Sequence, residues 1–310
     1  MKKLLLLFLT TTSFLFAQQK EIKRPRILGI AHVAFYVSDL SKARAFYKDL
    51  LGYDEVFTLK REDGTDRIAL MKINDQQYVE LFAEAPRDDD RLNHVAVYTD
   101  DAARMRDYLA SRGVKVPDKV NRGRTGNYNF TATDPDGHQL EIVQYEPDSW
   151  TGNAKGKFMP ASRASVHLMH AGFLVKSLDA AMKFYHDVLG FQEFWRGSAS
   201  GDELSWVNMR VPDGNDYVEF MLYKDPQTPE QRGVKNHICL ETPEIQSVVA
   251  NLESRAARKT YAREIRVQTG KNRKRQANLF DPDGTRIELM EPNTVDGKPA
   301  PSSNAPPPSN

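Results

Sequence analysis

HVAFYVSDLSKARAFYKDLLGY, residues 32–53, and HAGFLVKSLDAAMKFYHDVLGF, residues 170–191, are two versions of one segment. At an offset of 138 they match at His, Phe, Val, Leu, Ala, the Phe-Tyr pair, Asp, Leu and Gly. Three further stretches repeat in the same order. QYVELF at 77–82 aligns with DYVEFM at 216–221, NHVAVYTD from Asn93 with NHICLETP from Asn236, and DPDGHQLEIVQ at 134–144 with DPDGTRIELME at 281–291. One unit therefore occurs twice, at 28–147 and 166–292. The stretch 148–165 has no apolar period and reads as the linker.

Each unit is itself two-fold, with a strand, a helix and three strands in series, so that βαβββ occurs four times. Ala31, Val33, Phe35 and Val37 share one face of an alternating strand. Asp39 is a helix N-cap, and Ala43, Phe46, Tyr47 and Leu50 form the buried stripe of the helix that follows. Gly52 and Gly190 end the two equivalent helices. DPDG has Pro second and Gly last, which suits a tight turn leading into a hairpin.

The same alternation sorts the polar residues. His32 lies opposite Val33 and Phe35, Glu80 opposite Val79 and Leu81, His94 opposite Val95 and Val97, and Glu141 opposite Leu140 and Ile142. His170, Glu219, His237 and Glu288 repeat the arrangement. With helices covering the apolar face, the other face carries two imidazoles and two carboxylates per unit. That donor set suits Zn, Ni, Mn, Fe or Co better than Ca or Mg. Unpaired carboxylates on a concave, poorly solvated face cost several kcal/mol each, and a divalent cation relieves that cost. The rival reading is ion pairing, with Lys72 and Arg210 diagonal to Glu80 and Glu219, and Arg286 beside Glu288. His138, His167 and His186 have no counterpart in the other unit and read as structural.

The chain of 310 residues holds 43 Lys and Arg against 42 Asp and Glu, a formal charge of +1. That balance offers nothing to a nucleic acid. Cys239 is the only cysteine, so an intrachain disulfide is excluded. It shares the face of His237 and reads as a packed small hydrophobe. Residues 1–17, with Lys2 and Lys3 before the apolar run Leu4–Phe16 and a cleavage point at Ala17, read as a signal peptide. The run is short of the roughly 20 residues of a membrane span. The expectation is an exported, periplasmic protein, an uncleaved anchor being the alternative. Residues 293–310, rich in Pro, Ser and Asn, read as a disordered tail. Nine cations between Arg255 and Arg275 read as a solvated face or as an anion-attracting rim, and Arg122 and Arg124 are equivalent candidates in the first unit.

HVAFYV-DL with FYKDLLG, YVELF, NHVAVY and DPDGHQLEIVQ, together with their partners, resemble the vicinal oxygen chelate superfamily. That superfamily includes glyoxalase I, extradiol dioxygenases and bleomycin- or fosfomycin-resistance proteins. The resemblance implies an α+β fold of tandem domains, each made of two βαβββ modules around an open metal-binding cup. Carried over from glyoxalase I, the ligands are His32, Glu80, His94 and Glu141, then His170, Glu219, His237 and Glu288. In members with exchanged modules, His32 and Glu80 would instead share a metal with His237 and Glu288.

Extradiol dioxygenases resemble this pattern but use two histidines and one glutamate, with none on the early strand. Glu80 and Glu219 therefore point to a metal-dependent lyase or isomerase acting on a small substrate with two vicinal oxygens. Glu141 and Glu288 are the expected bases. A dioxygenase and a non-catalytic small-molecule binder are the alternatives. Where glyoxalase I has an arginine that helps hold glutathione, this chain has Tyr36 and Leu174, so the resemblance stops short of a glutathione adduct.

Overall fold

The computed structural model describes residues 22–86 and 89–309; the expected signal peptide lies outside the described residues. The first domain runs β1 (Ile27–Tyr36), α1 (Leu40–Arg44), β2 (Glu55–Lys60), β3 (Asp66–Lys72), β4 (Tyr78–Phe82), β5 (Leu92–Thr99), α2 (Ala102–Ser111), β6 (Asn121–Arg122), β7 (Tyr128–Thr133) and β8 (Gln139–Gln144). α3 (Trp150–Asn153) follows in the linker. The second domain runs β9 (Leu168–Val175), α4 (Leu178–Met182), β10 (Gln192–Gly197), β11 (Trp206–Arg210), β12 (Tyr217–Leu222), α5 (Pro229–Lys235), β13 (His237–Glu241), α6 (Ile245–Ser254), β14 (Val267–Thr269), β15 (Lys274–Phe280) and β16 (Arg286–Thr294). None of the helices among the described residues is long and apolar enough to cross a membrane.

Each domain is one eight-stranded sheet, ordered β2-β3-β4-β1-β5-β8-β7-β6 in the first and β10-β11-β12-β9-β13-β16-β15-β14 in the second. β1 pairs parallel to β4 and antiparallel to β5, and β5 pairs parallel to β8. The four central strands are thus the first and last strands of the two modules.

Asp39 caps α1 by accepting from the N–H groups of Ser41 and Lys42. α1 then widens into a π-helix at Ala45–Leu50, where Phe46, Tyr47 and Leu50 are buried. Gly52 stops it at φ +83°, a left-handed conformation that favours glycine. α4 repeats this through Lys183–Val188 to Gly190 at +81°. One continuous apolar core runs through both domains and contains Val33 and Phe35 as well as Ala171 and Phe173.

The repeated Phe-Tyr and DPDG motifs meet across the domain seam. Asp134 Oδ1 accepts from the N–H of Asp136 and His138, which holds its own turn. Its Oδ2 accepts from Tyr185 of the second domain at 3.1 Å. Asp281 likewise accepts from Asp283 and Thr285, while Tyr47 of the first domain donates to its Oδ2 at 3.4 Å. Asp136 and Asp283 accept from the N–H of Lys176 and Ser38 respectively, each in the other domain.

A second reciprocal pair lies nearby. Gln77 accepts from Leu168 N–H and donates to Leu168 C=O, while Asp216 accepts from Ile30 N–H. His167, with its nitrogens 2.7 Å from Asp216 and 2.7 Å from Glu241, completes this seam.

Two expectations need correcting. The tail is not disordered over 293–309: Asn293 and Thr294 belong to β16, and Val295 N–H donates to Arg273 C=O. The Pro-rich stretch then lies along β10. Pro301 C=O accepts from the Trp195 indole, Ser303 N–H donates to Arg196 C=O, and Pro306 C=O accepts from Leu204 N–H. Proline has no N–H to satisfy, so the segment needs mainly donors from its host, with one acceptor for Ser303 N–H.

The linker is the first domain's equivalent strap, with α3 capped by Ser149 and Trp150 packed 5.1 Å from Phe57. Buried Lys72 serves it, donating to Asp75 and to the carbonyls of Ala154 and Lys157. Lys72 is therefore engaged with the linker and not with Glu80. Arg210, the other expected partner, lies over the Phe194 ring at 4.7 Å.

Candidate metal centre

Register alone brings the first four polar residues together. On the cup face, His32 is paired with Ala96, and His94 with Ala34. Ala34 is also paired with Glu80, and Ala96 with Glu141. Two alanines thus occupy the centre of a checkerboard, and their small side chains leave the space above them to the four large ones.

His32 Nε2 and His94 Nε2 lie 2.8 Å apart. Glu141 Oε2 lies 3.0 Å from His94 Nε2 and 3.2 Å from His32 Nε2, and Glu80 oxygens lie 3.9 Å from each. Asn93 Oδ1, 2.7 Å from His94 Nδ1, fixes that ring. Burial opposes a charge on His32, but Glu80 and Glu141 outweigh it and push its pKa up to about 9. Burial likewise opposes ionisation of Glu141. The hydrogen bonds it accepts from His32 and His94 nevertheless hold its carboxyl far below the usual carboxylate range.

The second cup starts from the same register: His170 is paired with Cys239, His237 with Gly172, Gly172 with Glu219, and Cys239 with Glu288. His170 Nε2 and His237 Nε2 lie 3.1 Å apart. Glu219 lies 3.9 Å from His170 and 3.5 Å from His237, and Glu288 lies 3.5 and 3.7 Å from them. Both sets of four close within one domain, so module exchange between domains does not occur in this chain.

The surroundings of the two cups differ. A cavity of about 220 Å³ opens on the first, lined by Leu59, Ile68, Leu70, Phe82 and Tyr145, with Arg67 and Arg124 among its polar groups. In the second, both histidines are almost fully buried and the floor is Met169, Tyr217, Cys239 and Met290. Arg286, the equivalent of Gln139, places Nη2 2.8 Å from His237 Nε2 and 2.9 Å from its Nδ1. The expected pairing of Arg286 with Glu288 is replaced by this contact.

Burial, and then the Arg286 charge, lower the His237 pKa; burial and then His237 lower that of His170. Burial and the Glu288 charge raise Glu219. Burial would raise Glu288 as well, but His237 and Arg286 hold it low.

Of the remaining candidates, Arg124 lines the first cavity, whereas Arg122 pairs with exposed Asp148. The cationic run in the second domain is largely committed. Arg255 donates to Leu50 C=O, and Arg258, Arg273 and Arg275 pair with Glu253, Asp296 and Glu291. His138 pairs with Asp134 and packs on Phe173 of the other domain, and His186 pairs with Asp187. Arg67, Asn127 and Asn129 of the first cavity were not legible as site residues. They stand on strands and loops outside the repeat's matched stretches. A larger cleft of about 650 Å³ between the domains, lined by Tyr36, Asp136, His138 and Lys176 among others, stands apart from both His-Glu clusters.

Known proteins resemble this arrangement. The chain is 27% identical over 148 residues to a 2-epi-5-epi-valiolone epimerase of Actinomyces sp, covering 38% of this chain and 80% of that one. Curated relatives are matched over 50% to 95% of their own length, with the chain spanning only half of the first of them. A variant of homoprotocatechuate 2,3-dioxygenase from Brevibacterium fuscum superposes with a TM-score of 0.66 at 17% identity, covering 90% of this chain and 75% of that one. The Mn(II)-bound glyoxalase from Novosphingobium aromaticivorans superposes with 0.64 at 20% identity, covering 92% and 89%. At those identities the likeness is one of fold. The model of the glyoxalase/bleomycin resistance protein/dioxygenase superfamily matches residues 29–142 and again 167–289, and the chain belongs to that superfamily.

Proposed function

We propose that the first cup is the working centre of a divalent-metal-dependent lyase or isomerase acting on a small substrate with two neighbouring oxygens. The observation that carries this is the convergence of two imidazoles and two carboxylates on one point beside a cavity. The fit to a metal is chemical as well as geometric. Imidazole and carboxylate together suit a transition-type cation. The 2.8 Å between the two Nε2 atoms is the spacing of neighbouring ligands around one ion. His32, Glu80, His94 and Glu141 would hold it. When bound, such an ion supplies Lewis acidity that polarises the substrate's oxygens.

The residues do the rest. Glu141 Oε2, within 3.2 Å of both histidines, takes up and returns the proton moved between neighbouring atoms of the substrate. Glu80, held less closely, is its partner. Leu59, Ile68, Leu70 and Phe82 shape an apolar wall that limits water, and Arg124 supplies positive charge for an anionic substrate group, Arg67 beside it being paired with Glu84. The cavity is below the usual 300–1,000 Å³ of sites for drug-sized ligands, in keeping with a small substrate.

Glu80 favours this branch over a dioxygenase, for which His32, His94 and Glu141 would suffice. The likeness to the Brevibacterium fuscum enzyme keeps that second reading in view. The test is turnover of Mn(II)-loaded protein on a panel of small α-hydroxy and vicinal dicarbonyl compounds, with oxygen consumption recorded on catechols in parallel. Isomerisation or elimination without oxygen uptake supports the proposal; oxygen uptake on a catechol replaces it with the second reading.

The same proposal places the protein outside the cytoplasm, supported by Lys2, Lys3, the run Leu4–Phe16 and Ala17. N-terminal sequencing that begins at Gln18 supports export, and a retained Met1 removes it.

A further inference from the structure

Arg286 brings a fixed positive charge to the edge of the second cup, against His237. Its Nη2 is 2.8 Å from His237 Nε2. A divalent ion ligated by that nitrogen, at ~2.1 Å, would lie within about 5 Å of a permanently charged guanidinium. The first cup has Gln139 at this position, a neutral side chain on the same strand face as Glu141.

The neighbouring residue reinforces the difference. Gly172 replaces Ala34, and a Cβ there would collide with Cε1 of His237. His237 therefore lies down over Gly172, on the side from which Arg286 reaches it. His170 adds an independent sign, because its Nδ1 is buried with no hydrogen-bond partner among the described residues. A metal-ligating histidine almost always has its second nitrogen held by a carboxylate, carbonyl or water.

We propose that the second cup is closed to divalent ions by an internal cation: Arg286, held against His237, keeps a fixed positive charge beside the ligand set, and the chain binds one metal, in the first cup. The proposal rests on the metal reading of the first cup only for the count of one; the exclusion at the second cup stands separately.

The experiment measures Mn(II) bound per full-length chain, by elemental analysis after gel filtration and by electron paramagnetic resonance. The wild type should hold one equivalent and R286Q two. The H32A/H94A background isolates the second cup. There the count should be zero with Arg286, zero with R286K, and one with R286Q.

R286M, which removes the charge but keeps the bulk, serves if R286Q alone loses its circular-dichroism melting transition. An equivalent of metal retained by H32A/H94A overturns the proposal. So does a count of zero in both H32A/H94A/R286Q and H32A/H94A/R286M. Failure of the first-cup reading looks different: wild type and H32A/H94A would then bind equally, while the two Arg286 backgrounds could still differ.

Discussion

The two cups begin from one pattern and arrive at different surroundings. In each, two histidines and two glutamates on four adjacent strands converge to within 3.9 Å. In the first, the small residues between them are Ala34 and Ala96, and a cavity opens above. In the second they are Gly172 and Cys239, the floor is sulfur-rich, and an arginine fills the approach to His237. A ligand set is therefore not yet a metal centre. What stands two residues away on the same strand face, and what lies beneath, set the surroundings in which an ion would have to bind.

This contrast can be broken most directly by catalysis. Glu141→Gln should reduce turnover by about 10²–10⁴, whereas Glu288→Gln should leave it near the wild-type rate; steady-state kinetics on any substrate found for the protein decide it. Equal losses would restore the second cup to the mechanism.

Next in size is a chemical accessibility. Cys239 is fully buried and its thiol is pushed well up by burial and by the Glu288 charge. A thiol reagent should leave it unmodified in the native protein and label it after denaturation. Prompt native labelling would mean that the second cup is open.

The seam offers a control. Asp134→Ala and Asp281→Ala each strip a turn of its side-chain acceptor and a tyrosine of its partner, a loss on the order of 2 kcal/mol in urea unfolding. Asp134→Ala also unpairs His138, which has no counterpart at Asp281, so its loss should be the larger. The reverse order would mean that the two tyrosine contacts are not equivalent.

The smallest effect is in pH. Burial opposes a charge on His167, but Asp216 and Glu241 outweigh it and raise its pKa to about 9 from an ordinary 6.5. The folded state thus holds the proton more tightly. Its stabilisation is complete below pH 6.5 and fades as pH rises through 9. His167 is partly solvated, so the contribution is under about 1 kcal/mol. Stability measured at pH 6 and at pH 9.5 should differ less in His167→Ala than in the wild type.

Most of the fold was legible because it rests on local rules. Period-two alternation assigned His32, Glu80, His94 and Glu141 to one face, and Asp39 and Gly52 marked the helix they bound. The closeness of the eight polar residues followed from strand order, which the repeat itself suggested.

What the chain did not disclose was long-range. Arg286 was visible beside Glu288, but alternation cannot say that so long a side chain will turn toward a neighbouring strand's histidine instead. The tail read as disordered because composition reports intrinsic preference, while the groups that hold it are distant in sequence: the Trp195 indole and Leu204 N–H donate to it, and the Arg196 and Arg273 carbonyls accept from it. The Asp–Tyr pairs at the seam were hidden for the same reason. Each half of such a pair has a sufficient local explanation, as a turn residue or as part of a helix stripe.

Those pairs have a thermal consequence. Because the turn of each domain is finished by a hydroxyl from the other, and because one apolar core passes through both, neither half keeps its full set of contacts once its companion melts. Calorimetry of the whole chain should therefore show a single endotherm, with the duplicated halves cooperating as one melting unit despite the ancestry that made them separable.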